Sequence, residues 1–239
     1  MLARFEDIFD AEKVGEIGHS KLNEILSLAS KENLPPSSED GQKVLFLGID
    51  FQNDFMDDGP LGVPGAKKDV ERAARFLYNN LDKITHIALS LDTHTPIQIF
   101  HPCWWMDQEG KEPSPYTVIT YEDLKREKWI PRHYPRESIE YVENLEKLGR
   151  KQLCIWPYHC LQGTSGNALE GQLANLVYFH SLVRKTDVHT IVKGLAPATE
   201  MYGIFRPEYS PEDLANVELL ETMLGYDRIF IAGEAKSHC

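Results

Sequence analysis

The sequence predicts an α/β protein, a three-layer α/β/α arrangement around a central parallel sheet. Two observations lead there. Short apolar runs alternate with stretches of helical periodicity, the pattern of strands joined by crossover helices. Each of those runs also ends in, or leads straight to, a polar residue able to do chemistry: Asp50, then Asp92 and His94, then Lys193, then the stretch up to Cys239. In open parallel sheets the site lies beyond the carboxyl ends of the strands, so this coincidence points to one functional rim. A chain of 239 residues is long enough for one such domain with a well-buried core.

Along the chain, the first forty residues form an extension. Residues 21–30 (KLNEILSLAS) place apolar side chains at helical spacing, and 33–42 (NLPPSSEDGQ) read as a linker rich in Pro, Ser and acids. Residues 1–42 are therefore expected to be a helical extension and linker, and 43–239 the α/β domain proper. VLFLGID (44–50) is apolar on both faces, as a buried parallel strand requires. A helix follows over 66–81, and HIALSLDTH (86–94) gives the second strand. A long segment rich in Pro, Trp and Tyr occupies 96–135. Residues 136–151 and 168–185 read as helices, and HTIVKG (189–194) as the third strand. Residues 211–224 are helical, with Ser210 as the cap, and RIFIAGE (228–234) is the fourth strand. No internal repeat or low-complexity tract interrupts this order.

Charge excludes some partners. The formal net charge is −12, which disfavours a nucleic-acid binder or a protein held on an anionic membrane, because both need a basic patch. No apolar run approaches the roughly 20 residues of a membrane helix. The N-terminus lacks the basic-then-apolar layout of a secretory signal. A cytoplasmic location is expected. The four cysteines (Cys103, Cys154, Cys160 and Cys239) include no CxxC pair, so neither a disulfide scaffold nor a zinc knuckle is indicated.

Taken together, Asp50, Lys193 and Cys239 bring an acid, a cation and a thiol to one rim. That is what catalysis by a thiol needs. The thiolate is the nucleophile, a nearby cation lowers its pKa, and a carboxylate takes the proton and returns it to the leaving group.

Three motifs carry a resemblance. GIDFQNDF (48–55), IVKG (191–194) and IAGEAKSHC (231–239) stand in the order Asp, Lys, Cys. The chain resembles the isochorismatase-like cysteine hydrolases over 44–239. That resemblance implies Asp50 as general base, Cys239 as nucleophile and Lys193 as the group holding both. It also implies an oxyanion hole of backbone N–H groups near Cys239, and a cis peptide at Glu234–Ala235.

A second constellation chooses the branch. Asp92 and His94 form D-x-H at a strand end, where alternation puts both on one side. His159 lies in WPYHC (156–160). Two imidazoles and a carboxylate suit a divalent metal, Zn, Fe or Mn. His101, close in sequence, is a rival third ligand, and Cys160 is a packing neighbour. The set resembles the nicotinamidase and pyrazinamidase branch. By that resemblance Phe55, Trp156 and Tyr202 sandwich the substrate ring, and the substrate is nicotinamide or a related small amide. A homo-oligomer is implied in the same way.

Some features depart from that pattern. The second-strand motif reads DTHTPIQIFHPCWW. The stretch 96–154 is long, and its aromatics (Trp104, Trp105, Tyr116, Tyr121, Trp129) are expected to cover the site or reshape the pocket. In the resembled family a helix begins at the nucleophile and further sheet follows, so the 239 residues are expected to be a portion of a longer polypeptide. Two other readings stand beside the first. One is a metal-free relative acting on a carbamoyl or ureido compound. The other is a non-catalytic binding protein on the same scaffold.

Overall fold

The computed structural model describes residues 2–18, 21–149, 151–212 and 215–234. Four strands form the central sheet: β1 (Val44–Ile49), β2 (His86–Asp92), β3 (Val188–Lys193) and β4 (Arg228–Gly233). Their spatial order is β3-β2-β1-β4, with every pairing parallel. All four expected strands are present.

Among the described residues the α-helices of seven residues or more are α1 (Leu22–Ala29), α2 (Ala66–Asn79), α3 (Pro135–Asn144), α4 (Gly171–Arg184) and α5 (Val217–Met223). Two of them start later than their periodicity suggests, and side-chain caps explain why. The Glu170 carboxylate accepts the Leu173 N–H and opens α4, while Leu169 is drawn into a bridge with Gln52. Asn216, not Ser210, caps α5 by accepting the Leu219 N–H.

Central strand β1 is buried throughout and feeds two cores. Val44 and Phe46 face one side, with α1, α2 and α4 supplying Ile25, Val70, Leu77, Leu176 and Phe179. Leu45, Leu47 and Ile49 face the other, against Ile204, Leu219 and Met223. This is period-two alternation with apolar residues on both faces, as a strand covered on both sides demands. The extension is part of the first core: Phe5, Ile8, Phe9, Ile25 and Ala29 are buried within it. Arg184, fully buried on α4, ion-pairs with Asp40 and donates to the Pro35 carbonyl, tying the linker to the domain.

The long stretch after β2 builds a third cluster around Ile99, Trp104, Trp105, Ile119, Tyr141 and Val142. No helix among the described residues is long and apolar enough to cross a membrane.

Candidate active site and metal site

Asp50 follows the last residue of β1 in the left-handed region (φ 52°). Asp tolerates that conformation better than most residues, at a cost of roughly 1 kcal/mol. The turn aims its carboxyl at the neighbouring strand. Ser90 Oγ accepts the Asp50 N–H at 3.0 Å and donates to Asp50 Oδ1. Asp50 Oδ2 is 3.0 Å from Lys193 Nζ, and both side chains are buried. Lys193 closes β3, and its ammonium is also 3.3 Å from Asp92 Oδ1.

Asp92 uses its other oxygen elsewhere: Oδ2 is 3.0 Å from His94 Nε2 and 3.7 Å from His159 Nε2. Burial alone raises the Asp92 carboxyl pKa. Lys193, His94 and His159 outweigh that effect and hold it well below the usual range. The potential ligand atoms of Asp92, His94 and His159 all lie within 4.8 Å of one another.

The donor chemistry of this trio fits a cation. His94 Nδ1 faces the Gly194 carbonyl at 3.1 Å, and His159 Nδ1 faces the Pro157 carbonyl at 2.8 Å. A carbonyl only accepts, so each Nδ1 donates to its carbonyl, which leaves each Nε2, the nitrogen nearest Asp92, as the atom able to ligate a metal. Two imidazole Nε2 atoms grouped around one carboxylate oxygen make a candidate site for a divalent metal. His101 stays outside the trio. Its Nδ1 contacts the Pro96 carbonyl, and its ring lies 6.1 Å from that of His94 and 6.3 Å from that of His159.

Gln52 and Asp54, both inside GIDFQNDF, hold this arrangement from behind. Gln52 accepts the Asp92 N–H at 2.7 Å and returns Nε2–H to the Asp92 carbonyl at 2.7 Å, imitating a strand. Asp54 accepts the Cys160 N–H at 2.7 Å, and Cys160, next to His159, has φ 46°. Burial and the carboxylates of Asp92, Asp54 and Asp50 push the Cys160 thiol strongly upward, so it stays protonated and is no nucleophile.

A cavity of about 300 Å³ opens beside these groups. Phe55, Phe100, Trp156 and Tyr202 give it aromatic walls, and Asp92, His94 and His159 form its polar side. The five loop aromatics expected to cover the site do not line it. Trp104 and Trp105 are fully buried in the loop's own cluster, with Tyr121 and Trp129 packed against it. Tyr116 lies edge-on to the back of Trp156. An insertion with enough apolar residues to bury forms its own core, and only Phe100 of that cluster reaches the cavity.

Cys239 and Ala235 lie outside the described residues, and with them the expected nucleophile and the expected cis bond at Glu234–Ala235. Glu234 is described. Its N–H donates to the Ile49 carbonyl at 3.0 Å, and its buried carboxyl is pushed up to about 7, by burial first and then by Asp57. Sequence reading missed Gln52, Asp54, Ser90 and Glu200. The first two sat inside a motif already singled out, and Ser90 stands two residues before Asp92 on the same strand. Glu200 carried no signal beyond its nearness to Tyr202.

Fold and site define an α/β protein with a buried acid–lysine pair and a candidate metal trio at the carboxyl ends of its strands. This fold is similar to that of solved nicotinamidase structures. The yeast nicotinamidase is similar over 83% of this chain and 77% of its own, with 22% identity and a TM-score of 0.57. The same enzyme bound to the inhibitor nicotinaldehyde matches over 82% and 76%, at 21% identity and a TM-score of 0.56. A nicotinamidase/pyrazinamidase from Acinetobacter baumannii matches over 84% and 75%, at 18% identity and a TM-score of 0.55. No family model and no curated sequence matches the chain.

Proposed function

We propose that this chain is a cysteine-dependent amidohydrolase of the nicotinamidase type, turning nicotinamide or a related small amide into the acid and ammonia. One observation carries the reading. Lys193 is shared between Asp50 and Asp92, and Asp92 is shared in turn with His94 and His159, beside an aromatic cavity. The fold likeness to nicotinamidases, one of them bound to nicotinaldehyde, supports the same reading.

In this reading Asp50 accepts the proton of the Cys239 thiol, with Lys193 holding the carboxylate in place and offsetting its charge. The sulfur adds to the amide carbonyl carbon. The C–N bond then breaks, and Asp50 returns the proton to the departing nitrogen, which leaves as ammonia. Water hydrolyses the thioester, giving the acid and the free thiol. Backbone N–H groups near Cys239 hold the oxyanion. Asp92, His94 and His159 would hold a divalent metal, which would supply Lewis-acid chemistry toward a ring nitrogen or carbonyl of the substrate. Phe55, Trp156 and Tyr202 pack on the ring. The metal trio favours this branch over a metal-free hydrolase of carbamoyl or ureido compounds.

Ammonia release from nicotinamide by wild type and Cys239→Ala tests the proposal. Release by wild type alone is expected. Silence from wild type removes the substrate, and equal release by both removes the nucleophile.

A further inference from the structure

We infer that Glu200 is a positioning residue, its carboxylate holding Trp156 and Tyr202 at the mutual angle that walls the cavity. The inference rests on reading that cavity as the amide pocket. Glu200 is only 2% exposed, yet it lies in the lining. Its Oε1 accepts from Tyr202 Oη at 2.6 Å and from Trp156 Nε1 at 3.3 Å. Trp156 Nε1 is also 3.1 Å from Tyr202 Oη, so the three groups close a triangle. The two rings stand at 90° with centroids 6.4 Å apart. Oε2 accepts from Tyr141 Oη at 2.9 Å, and that hydroxyl takes the Glu200 N–H at 3.1 Å. Tyr141 belongs to α3, so the wall is anchored to a rigid element.

The geometry calls for a carboxylate. Two donors converge on one oxygen and a third meets the other, so both oxygens must accept. A glutamine offers one acceptor, and its NH₂ faces a Tyr141 hydroxyl that must then give up its own acceptor. Packing alone would be served at lower cost by an apolar side chain, because a buried carboxyl is expensive.

Burial raises the Glu200 carboxyl to about 7 against the pull of Tyr202, Tyr141 and Trp156, and nearby Glu208 adds to the rise. Lys151 offsets Glu208 at 2.7 Å and lies 4.4 Å from the Tyr202 ring centroid; the Cys154 thiol also faces this group. Protonation turns one acceptor oxygen into a donor, and a wall residue then loses its partner.

Two measurements test the inference. The first needs no substrate: the indole N–H resonance of Trp156, assigned with Trp156→Phe, is followed from about pH 5.5 to 8.5. It is expected to titrate in wild type with a midpoint within roughly one unit of Glu200's value, and to stay flat in Glu200→Gln. The second is steady-state hydrolysis of nicotinamide. Glu200→Gln should raise KM about tenfold, the worth of one buried hydrogen bond, with kcat within about threefold and a melting temperature lowered by no more than about 5 °C. A Trp156 resonance that Glu200→Gln leaves unshifted at about pH 8.5, where the wild-type carboxyl is ionised, overturns the inference. So does a variant that loses kcat and melting temperature together while KM stays put, for that marks a carboxyl that only supports the fold. If wild type does not hydrolyse nicotinamide, the amide reading fails, and the resonance still decides what Glu200 holds.

Discussion

Asp92 and Lys193 are register partners at the end of the β2–β3 ladder, and their side chains meet at 3.3 Å. The same ammonium reaches Asp50 on the far side of β2 at 3.0 Å, and the same Asp92 carboxylate reaches His94. Parallel register thus links the acid–lysine pair to the candidate metal trio through one shared carboxylate. Neither half can be altered without changing the charge felt by the other.

Lys193→Met tests that dependence on the stability side. It leaves two buried carboxylates facing each other with no cation between them. Losing one member of a buried ion pair costs about 3–5 kcal/mol. Urea unfolding at neutral pH should show that loss, and adding Asp50→Asn should recover part of it. A single variant as stable as wild type would show that water, not Lys193, balances these charges.

Gln52→Leu removes the two hydrogen bonds that clamp the backbone of Asp92. It leaves the buried Asp92 N–H unpaired and takes a donor from the Asn167 carbonyl, while the Asp92 carbonyl keeps Asn167 Nδ2, a loss of about 1–3 kcal/mol. It also frees the candidate ligand carboxylate of Asp92 to rotate. Metal affinity, read by titration with zinc or manganese, should fall by about 10–100-fold, as it does when the groups that orient a ligand are lost. Unchanged affinity with lowered stability would confine Gln52 to holding the fold.

Much of this was legible in the sequence because apolar runs and the residues ending them are local properties. VLFLGID announces both a doubly covered strand and its terminal acid, and D-x-H places two groups on one side by alternation alone. What was not legible depends on contacts between distant segments. Glu200 meets Tyr141 and Trp156 across 59 and 44 residues of chain, and no spacing rule reports such a meeting. The loop aromatics misled for the opposite reason. Tyr and Trp suit a pocket wall and a small core equally well, and which role they take depends on how many apolar neighbours the loop can gather.

His180 should give the folded protein an acid sensitivity far from the site. It is buried on α4, where Nε2 meets the Ile84 carbonyl at 2.9 Å. Burial, aided by Arg184, lowers its pKa to about 4. The unfolded chain takes up this proton near pH 6.5 and the native protein does not, so the contribution is fully present above about 6.5. It is lost as pH falls from there toward 4, by up to about 3 kcal/mol. His180→Gln keeps a donor for Ile84 and removes the titration. Its unfolding free energy should therefore vary less between about pH 6.5 and 4 than that of wild type. Parallel pH profiles for the two proteins would refute this account.

Cys160 should be chemically silent despite its place beside His159. Its thiol is fully buried and pushed strongly upward, by burial and then by Asp92, Asp54 and Asp50. Iodoacetamide at neutral pH should label half-buried Cys103 well before Cys160, as peptide mass spectrometry would reveal. Cys160→Ala should leave hydrolysis within about threefold of wild type, since the loop is held through the Cys160 N–H, not its sulfur. Rapid labelling of Cys160 would mean that the loop opens in solution.

Gly194→Ala should damage the candidate metal trio without replacing any of its three side chains. Gly194 follows Lys193 with φ +81°, a conformation that costs an alanine about 1–2 kcal/mol. Sterics add to this. A Cβ there would lie 2.6 Å from Asp92 Oδ1 and 2.6 Å from His94 Cε1, both closer than carbon atoms approach in folded proteins. Asp92 and His94 cannot yield independently. Asp92 is clamped by Gln52 and paired with Lys193, and the His94 ring is fixed by the Gly194 carbonyl, which also accepts from Gln98 Nε2 at 2.6 Å. Relief therefore requires the turn after β3 to move outward, carrying with it the carbonyl that sets the His94 tautomer. Zinc or manganese affinity should fall by about 10–100-fold. An Ala variant that binds metal as wild type does would mean that this turn is softer than its hydrogen bonds imply. A control at Gly110, where φ is +83° and a Cβ meets nothing within 4 Å, separates the two effects. Gly110→Ala should lose stability through backbone strain alone and keep its metal affinity intact.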